Sequence, residues 1–145
     1  MTVASNGRRL RVFLDANILF SAADVFGRTS EILKALVQLN HEAVTNIYAW
    51  EEVLRNINSK RPQALDGLYK IHRQLKIVDN ATLPFPLDVV CAEKDIPILA
   101  GAIHARCTHL WTGDKAHLGQ FYNQRIQGVT VVSSIRLFDL ILKTP

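Results

Sequence analysis

The chain has 145 residues, 48% of them hydrophobic and 21% charged, which suits one soluble globular domain with a real core. No apolar run approaches the roughly 20 residues of a membrane span, and the first ten residues lack the apolar stretch of a secretory signal. With 17 Lys and Arg against 13 Asp and Glu, the net charge of +4 suits a polyanionic partner without demanding one.

In chain order, residues 1–10, with Ser5-Asn6-Gly7, read as a flexible lead-in, and residues 11–145 as one domain. Arg11-Val-Phe-Leu14 is a short buried strand with an abrupt polar end, followed by a helical turn from Asn17. Gly27 breaks that turn. Thr29 or Ser30 then caps a helix over 31–40 whose apolar stripe is Ile32, Leu33, Leu36, Val37 and Leu39. Ala43-Val-Thr45 is the second strand. Asn46 caps a helix over 47–57, with Ile47, Trp50, Val53, Leu54 and Ile57 at helical spacing. Pro62 opens a helix to Gln74, with Leu65, Leu68, Tyr69 and Ile71 inward, and Leu75-Lys-Ile-Val78 is the third strand. A Pro-rich loop leads to a short helix over 88–93. Asp95-Ile-Pro97 starts the next helix, which runs to Arg106. His109-Leu-Trp111 and Gly128–Val132 are the last strands, and Ser133 or Ser134 caps a helix to Leu142.

This alternation predicts an α/β protein, a three-layer α/β/α sandwich around a mostly parallel sheet. Cys91 and Cys107 fall on segments that read as helical. They form no Cys-x-x-Cys pair, so a structural zinc site is not expected and the thiols read as small buried groups in a reducing cytoplasm. Basic residues are densest between Arg55 and Lys76, a run that reads equally as solvated helix faces or as a track for RNA.

Four acidic positions stand out. Asp15 follows a strand directly and Asp114 comes just past the end of another, where ligands bind in open α/β sheets. Asp95 opens a helix, and Glu51 or Glu52 lies on the helix after strand two. Carboxylates gathered in one cleft repel one another unless a cation neutralises them, and hard oxygen ligands select Mg²⁺ or Mn²⁺. Each position also has a structural use: Asp95 as a helix cap, Asn17 as the cap of the helix after strand one, Asp114 as a turn former. His117 reads as a surface residue or a phosphate contact, and Trp111 as core.

The order Val-Phe-Leu-Asp15-Ala-Asn17, then Thr45-Asn46 with an acid six residues on, then Lys-Asp95-Ile-Pro-Ile-Leu-Ala-Gly-Ala, then Thr112-Gly-Asp114 resembles the PIN domains. These are metal-dependent nucleases that include the VapC-type toxins of toxin–antitoxin pairs. The resemblance spans Arg11 to Phe138. It implies a five-stranded parallel sheet in the order 3-2-1-4-5, and an acidic pocket of Asp15, Glu52, Asp95 and Asp114 that is both catalytic and metal-binding. It implies supporting roles for Asn17 and Thr112, an Mg²⁺ or Mn²⁺ cofactor, an RNA substrate and an antitoxin partner. A homodimer and a cytoplasmic location follow as well. Glu52 fits the family spacing from Asn46, although on a helical wheel Glu51 borders the apolar stripe and Glu52 lies almost opposite. Lys115 is the candidate RNA contact. Many relatives carry another acid shortly after Thr-Gly-Asp, where this chain has Ala116 and His117. Two alternatives accompany the nuclease: a catalytically inactive PIN-like module that binds RNA or protein, and a phosphotransferase with an aspartyl nucleophile after strand one. The latter lacks its expected second acid, since Asn17 holds that place.

Overall fold

The computed structural model describes residues 9–143. The expected lead-in lies outside them except for Arg9 and Leu10, and Leu10 is already buried. Strand β1 (Arg11–Leu14) leads into helix α1 (Ala16–Ala22) and helix α2 (Arg28–Gln38). After β2 (Glu42–Asn46) come α3 (Ile47–Lys60), a 3₁₀ turn at Pro62–Ala64 and α4 (Leu65–His72). Then follow β3 (Leu75–Val78), a 3₁₀ turn at Glu93–Asp95, α5 (Ile96–His104) and β4 (His109–Trp111). A 3₁₀ turn at Leu118–Phe121, β5 (Arg125–Ile126), β6 (Val129–Val132) and α6 (Ser134–Lys143) complete the chain.

The sheet order is β3-β2-β1-β4-β6-β5. The first five strands are parallel throughout and follow the expected 3-2-1-4-5 order, the fifth expected strand being β6. A two-residue antiparallel strand, β5, adds a sixth at the edge. It arises because Gln127 and Gly128 both take positive φ, 48° and 93°, which closes a tight hairpin between Ile126 and Val129. Gly128 is therefore turn and not strand.

Strand order fixes the layers. The crossovers from β1 to β2 to β3 step one way, and the one from β3 to β4 steps back past β1. Right-handed connections then put α1 to α4 on one face and α5 on the other. Phe13, Leu14, Val44, Leu110, Trp111 and Val131 are fully buried between them. Such continuous apolar strands belong in a sheet covered on both faces.

Several local expectations give way. No helix forms over 88–92, which remain loop. Helix α2 starts at Arg28 behind Gly27, with no side-chain cap from Thr29 or Ser30, because the turn closed by Gly27 N on Asp24 O delivers the chain into the helix two to three residues earlier. The helix expected over 62–74 is split into a 3₁₀ turn and α4, and Tyr69, Ile47 and Leu39 face solvent. Cys91 lies in loop and Cys107 just after α5, so neither thiol is helical, and only Cys107 is fully enclosed. Asn46 does cap α3, accepting from Ala49 N at 2.9 Å, and the Ser133 hydroxyl accepts from Arg136 N at the start of α6. No helix among the described residues is long and apolar enough to cross a membrane.

Candidate metal centre at the carboxyl ends of the strands

The register of the sheet builds the site. Leu14 pairs with Trp111, so the next residues, Asp15 and Thr112, emerge side by side at the carboxyl edge. Asp15 N–H donates to Trp111 O at 3.1 Å, and Trp111 itself is core, its indole N–H donating to Ser134 Oγ at 2.8 Å. The Asp15 carboxylate is the N-cap of α1, accepting from Ala16 N at 2.7 Å. Its other oxygen accepts from the Thr112 hydroxyl at 2.8 Å and the Asn17 amide at 3.2 Å. Asn17 therefore does not cap α1. It sits in the first turn, and its own oxygen accepts from Gly113 N at 2.9 Å, tying the two strand-end loops together.

Asp95 reaches the same edge from the opposite face. Asn46 donates from Nδ2 to Pro97 O at 3.2 Å, and a Cβ on Gly101 would overlap that same Nδ2, so only glycine lets α5 lie this close to β2. Asp95 occupies the N-cap position of α5 but makes no capping bond. It is 5% exposed, and its Oδ2 has no hydrogen-bond partner. A buried carboxylate oxygen without a donor is costly, and this one faces more negative charge.

Asp114 follows β4. Its N–H donates to Thr112 Oγ1 at 3.1 Å, and its carboxylate accepts from His117 N at 3.2 Å. Lys94 Nζ lies 3.7 Å from Asp114 Oδ2, and His117 Nδ1 lies 3.3 Å from the same oxygen. Asp95, Asp114 and His117 each offer a ligand atom, all within 4.8 Å of one another.

Burial pushes the Asp15 carboxyl up to about 6; the Thr112 and Ala16 hydrogen bonds oppose this, and the charges of Glu52 and Asp95 add to it. Burial also raises Asp95, Lys94 opposing and Asp114 adding. Tyr48 is raised by burial and then by Glu52, with Asp95 and Asp15 also contributing. Charge coupling thus links Asp15 to Glu52 and Asp95, and Asp95 to Asp114. Glu52, half-buried, faces Asp15 in this sense, whereas Glu51 points to solvent. Lys115 is exposed, and its N–H bonds Gly113 O; the lysine at the carboxylates is Lys94. In the basic run, Arg61 stacks over Phe20 at 4.8 Å while Lys60, Lys70, Arg73 and Lys76 are exposed.

Lys94 and Tyr122 are unexpected at the site, and His117 is expected from sequence only as a surface residue or a phosphate contact; the Tyr122 hydroxyl donates to Thr112 O at 2.8 Å. His117 had one signal: it stands three residues after Asp114, the spacing at which a turn folds a side chain back onto its start.

The donor set fits a divalent cation: converging carboxylates, one buried oxygen unsatisfied, and an exposed lysine, Lys94, as the ion-pair partner of Asp114 besides His117 among the described residues. No family model and no curated protein matches this chain in sequence. Among solved structures, it is similar to a chain of the VapBC2 crystal structure from Rickettsia felis, bound to a DNA fragment from their promoter. The TM-score is 0.62 at 15% identity, over 86% of this chain and 98% of that one. The likeness speaks for the fold.

Proposed function

We propose that the chain is a divalent-cation-dependent endoribonuclease of the PIN type, and the toxin member of a toxin–antitoxin pair. The observation that carries this reading is the Asp95 carboxylate, buried, without a donor on Oδ2 and within the charge field of Asp114 and Asp15, with the exposed Lys94 opposing from the mouth. A cation removes the cost of that arrangement, and oxygen donors of this kind suit Mg²⁺ or Mn²⁺. Asp15, Asp95 and Asp114 would hold it, with Glu52 on the adjoining wall. Bound there, such a cation supplies a Lewis acid that activates water and offsets charge on a phosphodiester.

The remaining roles belong to the chain. Thr112 and Asn17 both donate to one oxygen of Asp15 while Ala16 N holds the other, so the carboxylate has a single orientation before anything binds. Lys94 places a positive charge at the mouth, and Lys115 stands exposed on the next turn, where a phosphate backbone would pass. The net charge of +4 favours a polyanion such as RNA. An antitoxin partner and a homodimer, like a cytoplasmic location, rest on the resemblance to PIN toxins. The Rickettsia felis neighbour, itself a chain of a VapBC2 structure, supports looking for a companion protein.

The test is paired. Wild type, Asp15→Asn and Asp95→Asn are melted with Mn²⁺, Mg²⁺ and EDTA, and each is incubated with a mixed RNA substrate. We expect a cation-dependent rise in melting temperature and cation-dependent cleavage in the wild type, both lost in the variants. Cleavage that survives Asp95→Asn would refute the assignment. A wild type that shows neither response would leave the inactive binding module.

A further inference from the structure

We infer that His117 is itself a ligand of the cation, making this a mixed nitrogen–oxygen centre that prefers Mn²⁺ and similar first-row ions over Mg²⁺. The inference rests on the metal-dependent reading above. Asp95, Asp114 and His117 present one donor atom each within a 4.8 Å span. His117 Nδ1 is 3.3 Å from each oxygen of Asp114. Two donors bound at right angles to one ion, each about 2.1 Å from it, stand about 3 Å apart, so the pair needs to shift by only a few tenths of an ångström.

A second observation points the same way. The third member, Asp95, is 5% exposed and has an oxygen with no partner, so the group is one donor short of balance on its buried side. The turn is also built to hold the ring there. Asp114 N donates to Thr112 Oγ1, His117 N donates back to Asp114 Oδ1, and Gly119 N donates to Asp114 O at 2.7 Å. The imidazole is thus carried by a short hydrogen-bonded turn rather than a free loop.

Ligand chemistry sets the preference. Mg²⁺ takes oxygen and keeps its waters, whereas the first-row divalent ions bind mixed nitrogen–oxygen sites with an affinity that rises from Mn²⁺ toward Cu²⁺, so Mn²⁺ is the mildest member of the favoured group. Exchanging one carboxylate for an imidazole also lowers the negative charge of the donor set, which weakens the hold on a hard ion most.

The experiment uses the full, tag-free chain with Mn²⁺ alone, read by pulsed EPR for ¹⁴N coupling, alongside Mn²⁺ and Mg²⁺ affinities by calorimetry. Wild type is compared with His117→Ala and His117→Asp. We expect histidine ¹⁴N coupling in the wild type and none in either variant. His117→Ala should weaken Mn²⁺ by at least the roughly tenfold that even an outer partner's loss costs a metal site, and Mg²⁺ by less than about threefold. His117→Asp should shift the preference toward Mg²⁺. Bound Mn²⁺ without nitrogen coupling in the wild type, or coupling that persists in His117→Ala, would overturn the inference and leave the metal-dependent reading standing. No Mn²⁺ binding by the wild type would overturn both.

Discussion

Asp15→Asn is expected to change the pH dependence of folding in a defined way. Burial holds the Asp15 carboxyl at about 6, against 3.8 for a free aspartate. Below the lower value the group is protonated whether the chain is folded or not, and it costs nothing. Between the two values the unfolded chain releases its proton and the folded one keeps it, so stability falls as pH rises. Above about 6 the cost is constant. At 1.36 kcal/mol per unit, the displacement of about two units costs about 3 kcal/mol at neutral pH in the absence of a cation. An asparagine removes that cost but turns its NH₂ toward either Ala16 N–H or the Thr112 and Asn17 donors, a mismatch of about 1–3 kcal/mol that does not vary with pH. The difference between variant and wild type therefore isolates the ionisation. Urea unfolding of both proteins in EDTA from pH 4 to pH 8 should show that difference moving in the variant's favour by about 2–3 kcal/mol, equivalent to roughly 5–10 °C in melting temperature. Saturating Mn²⁺ should reverse the order at pH 8. A difference that stays flat with pH would refute the argument that Asp15 is a strained carboxylate.

Three other substitutions probe what surrounds it. Lys94→Ala removes the cation 3.7 Å from Asp114 and should tighten Mn²⁺ binding by about two- to fivefold, as expected for an exposed pair; weaker binding in calorimetry would contradict this. Thr112→Val deletes the buried hydroxyl that donates to Asp15 and accepts from Asp114 N, and should lower stability in chemical denaturation by about 1.5–3 kcal/mol at pH 8, less at pH 5 where Asp15 is mostly neutral. Gly67→Ala should lower the melting temperature despite a helix-propensity gain of about 1 kcal/mol, because its Cβ would overlap the backbone carbonyl of Ala23 and overpacking costs about 1–3 kcal/mol. A stabilised Gly67→Ala protein would mean that α4 slides freely on α1.

Much of the sheet was legible because its strands announce themselves locally. Arg11–Leu14 and His109–Trp111 are short apolar runs that end abruptly in polar residues, and the parallel register then carries Asp15 and Thr112 to one edge without further information. Two misses, the helix over 88–93 and the strand start at Gly128, meet in Gln127. With φ of 48° it closes the β5–β6 hairpin, and its side chain accepts from Asp88 N at 2.8 Å and donates to Pro86 O at 3.0 Å. Those two bonds tie the loop at Pro86 and Asp88 to the hairpin, so its backbone is satisfied from outside the segment. They span 39 and 41 residues, far beyond the reach of any periodicity. His117 and Lys94 escaped for a similar reason: their significance depends on Asp95 arriving from the other face.

The behaviour of Asp95 could have been read more sharply. An aspartate ahead of a helix normally gives its oxygens to the N–H groups at the second and third helical positions. In Asp95-Ile96-Pro97-Ile98 the first of those, the second helical position, is proline, which has no N–H, so the cap is short of one donor from the outset. Packing then decides between rotating the carboxylate back to the remaining donor and leaving it aimed at Asp114. Helix α5 is pinned through Pro97 O to Asn46 and pressed close at Gly101, so the helix start cannot tilt to recover the cap. The unpaired oxygen is therefore written into three residues of sequence and fixed by one glycine. By this argument Pro97→Ala, which restores the missing donor, should stabilise the metal-free protein in a thermal melt and weaken Mn²⁺ binding in calorimetry by drawing Asp95 back to its helix. Unchanged affinity would show that Asp95 is held in place by packing alone.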